Sequence, residues 1–148
     1  MGGQPNPPGW LTPCATTVLT REDPPVGDIR VLVVDDQAPF RRAMASVVDE
    51  TDGFVVVGQA SSGEESLELG RELEPDLVLM DVNLPGIDGL EATRRLVASA
   101  HPPVVLLLST YDDDEGEQFT AEFGAIGYVI KSAFGPDRLT AAWLSGAR

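Results

Sequence analysis

The chain has 148 residues, 43% of them hydrophobic, enough for one domain with a proper core and little besides. Its 24 acidic residues outnumber 10 basic ones, and the formal net charge of −14 opposes phosphate backbones, which argues against nucleic acid as a direct partner. A single cysteine (Cys14), no apolar run longer than Val104–Leu108 and an N-terminus neither basic nor apolar argue against an internal disulfide, a membrane-spanning helix and a signal peptide, and predict a cytosolic protein.

Residues 1–27 differ in kind from the rest. Pro5, Pro7, Pro8, Pro13, Pro24 and Pro25, with several glycines, deny the stretch a regular helix or strand and predict a flexible tail before a domain over 28–148. From Arg30 onward, apolar runs rich in β-branched residues recur at Val31–Val34, Phe54–Val57, Leu77–Met80, Val104–Leu108 and Ile126–Ile130. They are continuous rather than alternating, as in parallel strands covered on both faces. Between them lie stretches of helical period. Phe40, Met44, Val47 and Val48 share one face of a first helix, and Ser62 with Glu65 forms a capping box opening a second, towards Leu67 and Leu73. Leu90, Thr93, Leu96 and Val97 share a face of a third; Phe119 with Phe123, and Leu139 with Trp143, mark a fourth and a fifth. Gly70 and Gly124 are expected caps or weak points. A strand–helix unit repeated five times predicts a doubly wound α/β sandwich with right-handed crossovers.

In such a sheet, function gathers at the carboxyl ends of the strands. Those ends carry Asp35 and Asp36 after the first strand, Asp81 after the third, Ser109 after the fourth and Lys131 after the fifth; the second ends at Gly58 and Gln59 with nothing titratable. Each has a plainer reading: the aspartate pair could cap the first helix, Asp81 could open a Pro-Gly turn, and Ser109 could merely end a strand. Lys131 is the sole lysine among the 10 basic residues, and a compact ammonium suits a pocket that a planar guanidinium does not. Two carboxylates ~4 Å apart repel by roughly 4 kcal/mol at an effective dielectric of about 20, so three call for a cation. Oxygen ligands without a Cys/His cluster favour Mg2+ or Mn2+. A metal, a hydroxyl and a lysine around a carboxylate suit phosphoryl chemistry with the aspartate as nucleophile.

The segment from Ile29 to about Ala142 resembles the receiver domains of bacterial two-component response regulators. The resemblance rests on Val31–Asp36, Pro75–Asp81, Leu84–Gly89, Ser109 and Gly127–Lys131, with spacings of 28 residues from Asp81 to Ser109 and 22 from there to Lys131. It implies a flavodoxin-like (βα)5 sandwich whose parallel five-stranded sheet has the order 2-1-3-4-5. It also makes Asp81 the phospho-acceptor for a sensor histidine kinase or phosphotransfer protein. Asp36 would bind the metal directly, Asp35 mostly through water, and Asn83 through its backbone carbonyl. Ser109 and Lys131 would take phosphoryl oxygens, and Tyr128 would be the aromatic whose rotamer follows the phosphorylation state. The protein would thus be a phospho-acceptor that catalyses its own phosphoryl transfer and dephosphorylation, not an enzyme acting on a separate substrate.

The chain departs from the family at Ser132, where many receivers have a cis proline. The wording from Val57–Ala60 through Gly89–Thr93 is nearest to receivers that carry a helix-turn-helix output, yet only 17 residues follow Lys131, so no output domain is expected. Signalling is then expected through a downstream protein target, with homodimerisation as a second route and no direct DNA binding. Asp112–Glu115 read as an acidic start to the fourth helix, and His101 is assigned no role. A haloacid-dehalogenase-type phosphatase would need an acid where Asn83 stands, and a nucleotide-binding domain would need glycines where Asp35-Asp36-Gln37-Ala38 stand. A degenerate receiver binding partners without phosphorylation is opposed by the intact acceptor set.

Overall fold

The computed structural model describes residues 28–110 and 116–146, with the backbone alone over 116–119. The expected tail over 1–27, the acidic run Asp112–Glu115 and the side chain of Phe119 lie outside the described residues. Five strands, β1 (Ile29–Val34), β2 (Phe54–Ala60), β3 (Leu77–Asp81), β4 (Val104–Ser109) and β5 (Gly127–Ile130), alternate with α1 (Ala38–Asp49), α2 (Gly63–Leu73), α3 (Gly89–Val97), α4 (Gly116–Phe123) and α5 (Pro136–Gly146). The strands are parallel in the order β2-β1-β3-β4-β5, as the resemblance implies.

The continuous apolar runs are explained by two cores, one on each face of the sheet. Side chains alternate across a strand, so Val31, Val33, Leu77, Leu79, Leu106 and Leu108 pack beneath Met44 and Val48 of α1 and Leu139 of α5. Leu32, Val34, Val78, Met80, Val105 and Leu107 pack on the opposite face with Ala92 and Leu96 of α3. Most of these strand residues have no exposed surface, and each fully buried aliphatic side chain contributes ~1.5–3 kcal/mol. The burial fixes the register, and the register delivers the polar residues at the strand ends to one edge.

Several local expectations change on the structure. β2 runs on through Gly58 and Gln59 to Ala60, because a register shift between Val31 and Leu32 sets Leu32 opposite Gly58 and lets pairing continue. β5 begins one residue later, at Gly127, although the Ile126 N–H still donates to Val105. Half of the α2 capping box forms as expected, Ser62 Oγ accepting from the Glu65 N–H at 3.0 Å, while the return bond moves by one, Glu65 Oε1 accepting from the N–H and hydroxyl of Ser61. Of the two readings, Gly70 is the interior weak point rather than a cap, sitting inside α2 where a Cβ would come within 2.9 Å of Leu96 Cδ2. Gly124 does close α4, with φ +85° and its N–H on the Thr120 carbonyl. Phe40 shares the face of Met44 and Val48 on α1 but not their burial: it is 39% exposed, while they are buried. Trp143 packs edge-on against Phe54, with ring centroids 6.4 Å apart.

Candidate functional site

β1 ends where the Asp35 N–H bonds the Ala60 carbonyl at 3.1 Å, and the chain then turns along the carboxyl edge. The turn is held by Asp35 itself: its Oδ1 accepts from the Gln37 N–H at 2.9 Å, and its carbonyl accepts from Arg41 Nη1 at 2.8 Å. The N-cap of α1 is Gln37, which makes no side-chain capping bond, so neither aspartate caps the helix. Asp35 is wholly buried and Asp36 is exposed beside it.

Asp81 is the last residue of β3 and 3% exposed. The Val82 N–H, bonded to Leu108 O, continues the sheet one step, and the Asn83 N–H then folds back onto Asp81 Oδ1 at 3.1 Å. Beyond this turn Asp88 caps α3, accepting from the Glu91 N–H at 2.8 Å. Gly89 follows, and a Cβ there would collide with the Asp81 carbonyl, so only glycine lets α3 begin this close to the end of β3. Glu64 of α2 braces the same loop by accepting from the Ile87 N–H at 3.1 Å; its own backbone N–H and that of Ile87 hold its carboxyl below the usual range.

Lys131, first residue of a 3-10 turn over Lys131–Ala133, reaches into the same pocket. Its Nζ lies 2.7 Å from Asp35 Oδ2 and 3.3 Å from Asp81 Oδ2, and its side chain is only 5% exposed. No cis peptide occurs among the described residues, and with Ser132 after it the Lys131 side chain reaches Asp35 and Asp81. Ser109 ends β4 one residue beyond Leu108, the register partner of Asp81, and is 4% exposed. Tyr128, opposite Leu107, packs against the core on the α3 face.

Oxygens of Asp35, Asp36 and Asp81 lie within 4.8 Å of one another, a spacing at which each pair repels by roughly 3–4 kcal/mol at an effective dielectric of about 20. Burial pushes the Asp81 carboxyl up to about 6, and the Asp35 charge adds to the shift; the Asn83 N–H and Lys131 oppose it. One ammonium cannot balance three carboxylates. Asp35 Oδ2 is buried and makes no hydrogen bond: the ammonium beside it is an ion pair outside hydrogen-bonding geometry. A buried acceptor with lone pairs to spare, in an all-oxygen cluster with one exposed member, fits a hard divalent cation.

The structure therefore brings Asp35, Asp36, Asp81, Asn83 and Lys131 together, with Ser109 and Tyr128 on the neighbouring strands. His101 lies apart, 3.4 Å from Glu74 on the surface. Sequence reasoning missed Arg41, Gly89 and Phe40 as site residues. An arginine six positions after Asp35 carries no signal of its target, whereas a glycine opening a helix straight after its N-cap residue does hint at close packing.

An acidic pocket with one buried ammonium, at the carboxyl edge of a 2-1-3-4-5 sheet, defines a flavodoxin-like domain rather than a dinucleotide binder. Residues 31–143 match the family model of the response regulator receiver domain, and the chain belongs to that family. The segment is 50% identical over 106 residues to the response regulator GacA of Pseudomonas viridiflava, covering 71% of this chain and 49% of GacA. It is 35% identical over 105 residues to the transcriptional regulatory protein LiaR of Bacillus subtilis, covering 71% and 50%. The chain thus spans about half the length of these curated relatives. Among solved structures, the signal receiver domain of the response regulator NarL from Mycobacterium tuberculosis superposes with a TM-score of 0.70 at 29% identity, covering 78% of this chain and 96% of that one. The response regulator domain of Thermotoga maritima CheB gives 0.71 at 28%, covering 82% and 98%.

Proposed function

We propose that Asp81 accepts a phosphoryl group from the phosphohistidine of a sensor kinase or phosphotransfer protein. The observation that carries this reading is the buried Asp81 carboxylate held 3.3 Å from the Lys131 ammonium in an acidic pocket. An Asp81 carboxylate oxygen forms a bond to phosphorus as the phosphorus–nitrogen bond to the imidazole breaks. The departing nitrogen keeps the electron pair and takes a proton, leaving an acyl phosphate. Asp35, Asp36, Asp81 and the Asn83 carbonyl would hold Mg2+ or Mn2+, which when bound supplies positive charge to the phosphoryl oxygens. Lys131 supplies further positive charge, its ammonium already 3.3 Å from the Asp81 carboxylate, and the Ser109 hydroxyl bonds a further oxygen.

The output we infer is protein contact: phosphorylation draws Ser109 towards the phosphoryl group, Tyr128 adjusts beside it, and the face of α4, β5 and α5 changes. The net charge of −14 favours a downstream protein over DNA as direct partner, a reading that sequence-specific retention in a gel-shift assay would contradict. Phosphorylation itself is tested by intact mass after incubation with a small phosphodonor. One phosphoryl group is expected with Mg2+, none with chelator and none on Asp81→Asn; undiminished labelling of that variant overturns the assignment.

A further inference from the structure

Lys131 is shielded from water on one side by a residue that the acceptor chemistry does not account for. The ring of Phe40, in the first turn of α1, lies with its centroid 4.3 Å from Lys131 Nζ. Phe40 is itself 39% exposed, an unusual place for a phenylalanine in the first turn of a helix whose apolar residues Met44 and Val48 are buried four and eight positions later. Yet the lysine side chain beneath it is only 5% exposed. The ammonium therefore faces two carboxylates, Asp35 Oδ2 and Asp81 Oδ2, and one aromatic ring. The helix that carries Phe40 is itself tied to the site, because Arg41, the next residue, donates to the Asp35 carbonyl.

We propose that Phe40 is a positioning residue for phosphoryl transfer, its ring face holding the Lys131 ammonium at the acceptor carboxylate and keeping water from it. The electron-rich face attracts the cation without taking a hydrogen-bond acceptor's place, so the three N–H donors stay free for carboxylate and phosphoryl oxygens. An aliphatic side chain of similar size would cover the lysine but offer no such attraction. The ring, 39% exposed beside Lys131, also offers surface that a donor can meet.

This role rests on the phospho-acceptor reading, and the test separates the two. Lys131 is the chain's only lysine, so protein labelled with lysine carrying 13C at Cε alone gives a single lysine CH2 carbon signal. In the metal-free wild type its Hε resonance is expected upfield of the ordinary lysine position through the ring current; Phe40→Tyr should keep that displacement and Phe40→Leu should abolish it. With Mg2+ and a small phosphodonor, the phosphorylation rate of Phe40→Leu is expected to fall about two- to five-fold, the size of an exposed cation–π contact, with Phe40→Tyr near wild type. A wild-type signal at the ordinary position, or Phe40→Leu and Phe40→Tyr phosphorylating equally fast, overturns the proposal. Failure of the wild type to accept phosphate defeats the parent reading and the proposed role with it, while the lysine signal still reports whether the ring contact exists.

Discussion

Replacing Asp81 with asparagine should stabilise the metal-free protein while removing its proposed chemistry. The Asp81 carboxylate is 3% exposed, and its burial together with the Asp35 charge moves its pKa from the ordinary 3.8 to about 6. That displacement corresponds to ~3 kcal/mol by which ionisation opposes folding at pH 8. Asparagine keeps an oxygen for the Asn83 N–H, and the attraction to Lys131 is already contained in that net displacement, so the gain should approach ~3 kcal/mol. At this chain length 2 kcal/mol is roughly 4–8 °C in Tm. The sign with pH follows from linkage. Above pH 6 the folded and unfolded wild type both carry the charge, and the penalty is complete. Between 6 and 3.8 the folded state binds a proton that the unfolded chain does not, so the wild type gains on the variant as pH falls. By pH 5 the difference should have dropped to about half. Urea melts of both proteins with chelator at pH 8 and pH 5 provide the assay. A variant less stable than wild type at pH 8, or a gain independent of pH, would refute the reasoning.

Lys131→Met should destabilise the metal-free fold by about 3–5 kcal/mol, because it leaves the Asp35 and Asp81 carboxylates without their cation; unchanged urea midpoints would contradict the pairing. Added Mg2+ should restore part of that loss, as a ligand specific to the folded state stabilises by mass action. Gly89→Ala, favourable by helix propensity alone, should instead cost about 1–3 kcal/mol and slow phosphorylation through the clash with the Asp81 carbonyl, measured by melts and phosphodonor kinetics. NMR with a beryllofluoride mimic and Mg2+ should move resonances of Ser109, Tyr128 and α5; changes limited to the metal site would mean that the switch is absent.

The fold was legible because two opposed cores demand continuous apolar strands, and the strand ends then collect Asp35, Asp36, Asp81, Ser109 and Lys131 without further choice. Boundaries were less so: the shift at Val31/Leu32 that extends β2 leaves no mark in the residues of β2. Helical period placed Phe40 with Met44 and Val48, since period records the face of a helix and not how far along it the core extends. The first turn of α1 brings Phe40 over Lys131, and there an apolar side chain meets a cation in place of a core. Arg41 was silent for a related reason, as its target is a backbone carbonyl. Lys131 stood out through chain-wide usage rather than local pattern.

The most direct test of the central claim is reductive trapping. An acyl phosphate is reduced by borohydride at the modified carboxyl, converting that aspartate to homoserine at a position that peptide mass spectrometry can read. Protein phosphorylated with Mg2+ and then reduced should carry the conversion at position 81 alone, and protein kept in chelator should carry none. Conversion at position 35 or 36, or label that resists reduction because it sits on a hydroxyl or on nitrogen, would contradict Asp81 as the acceptor.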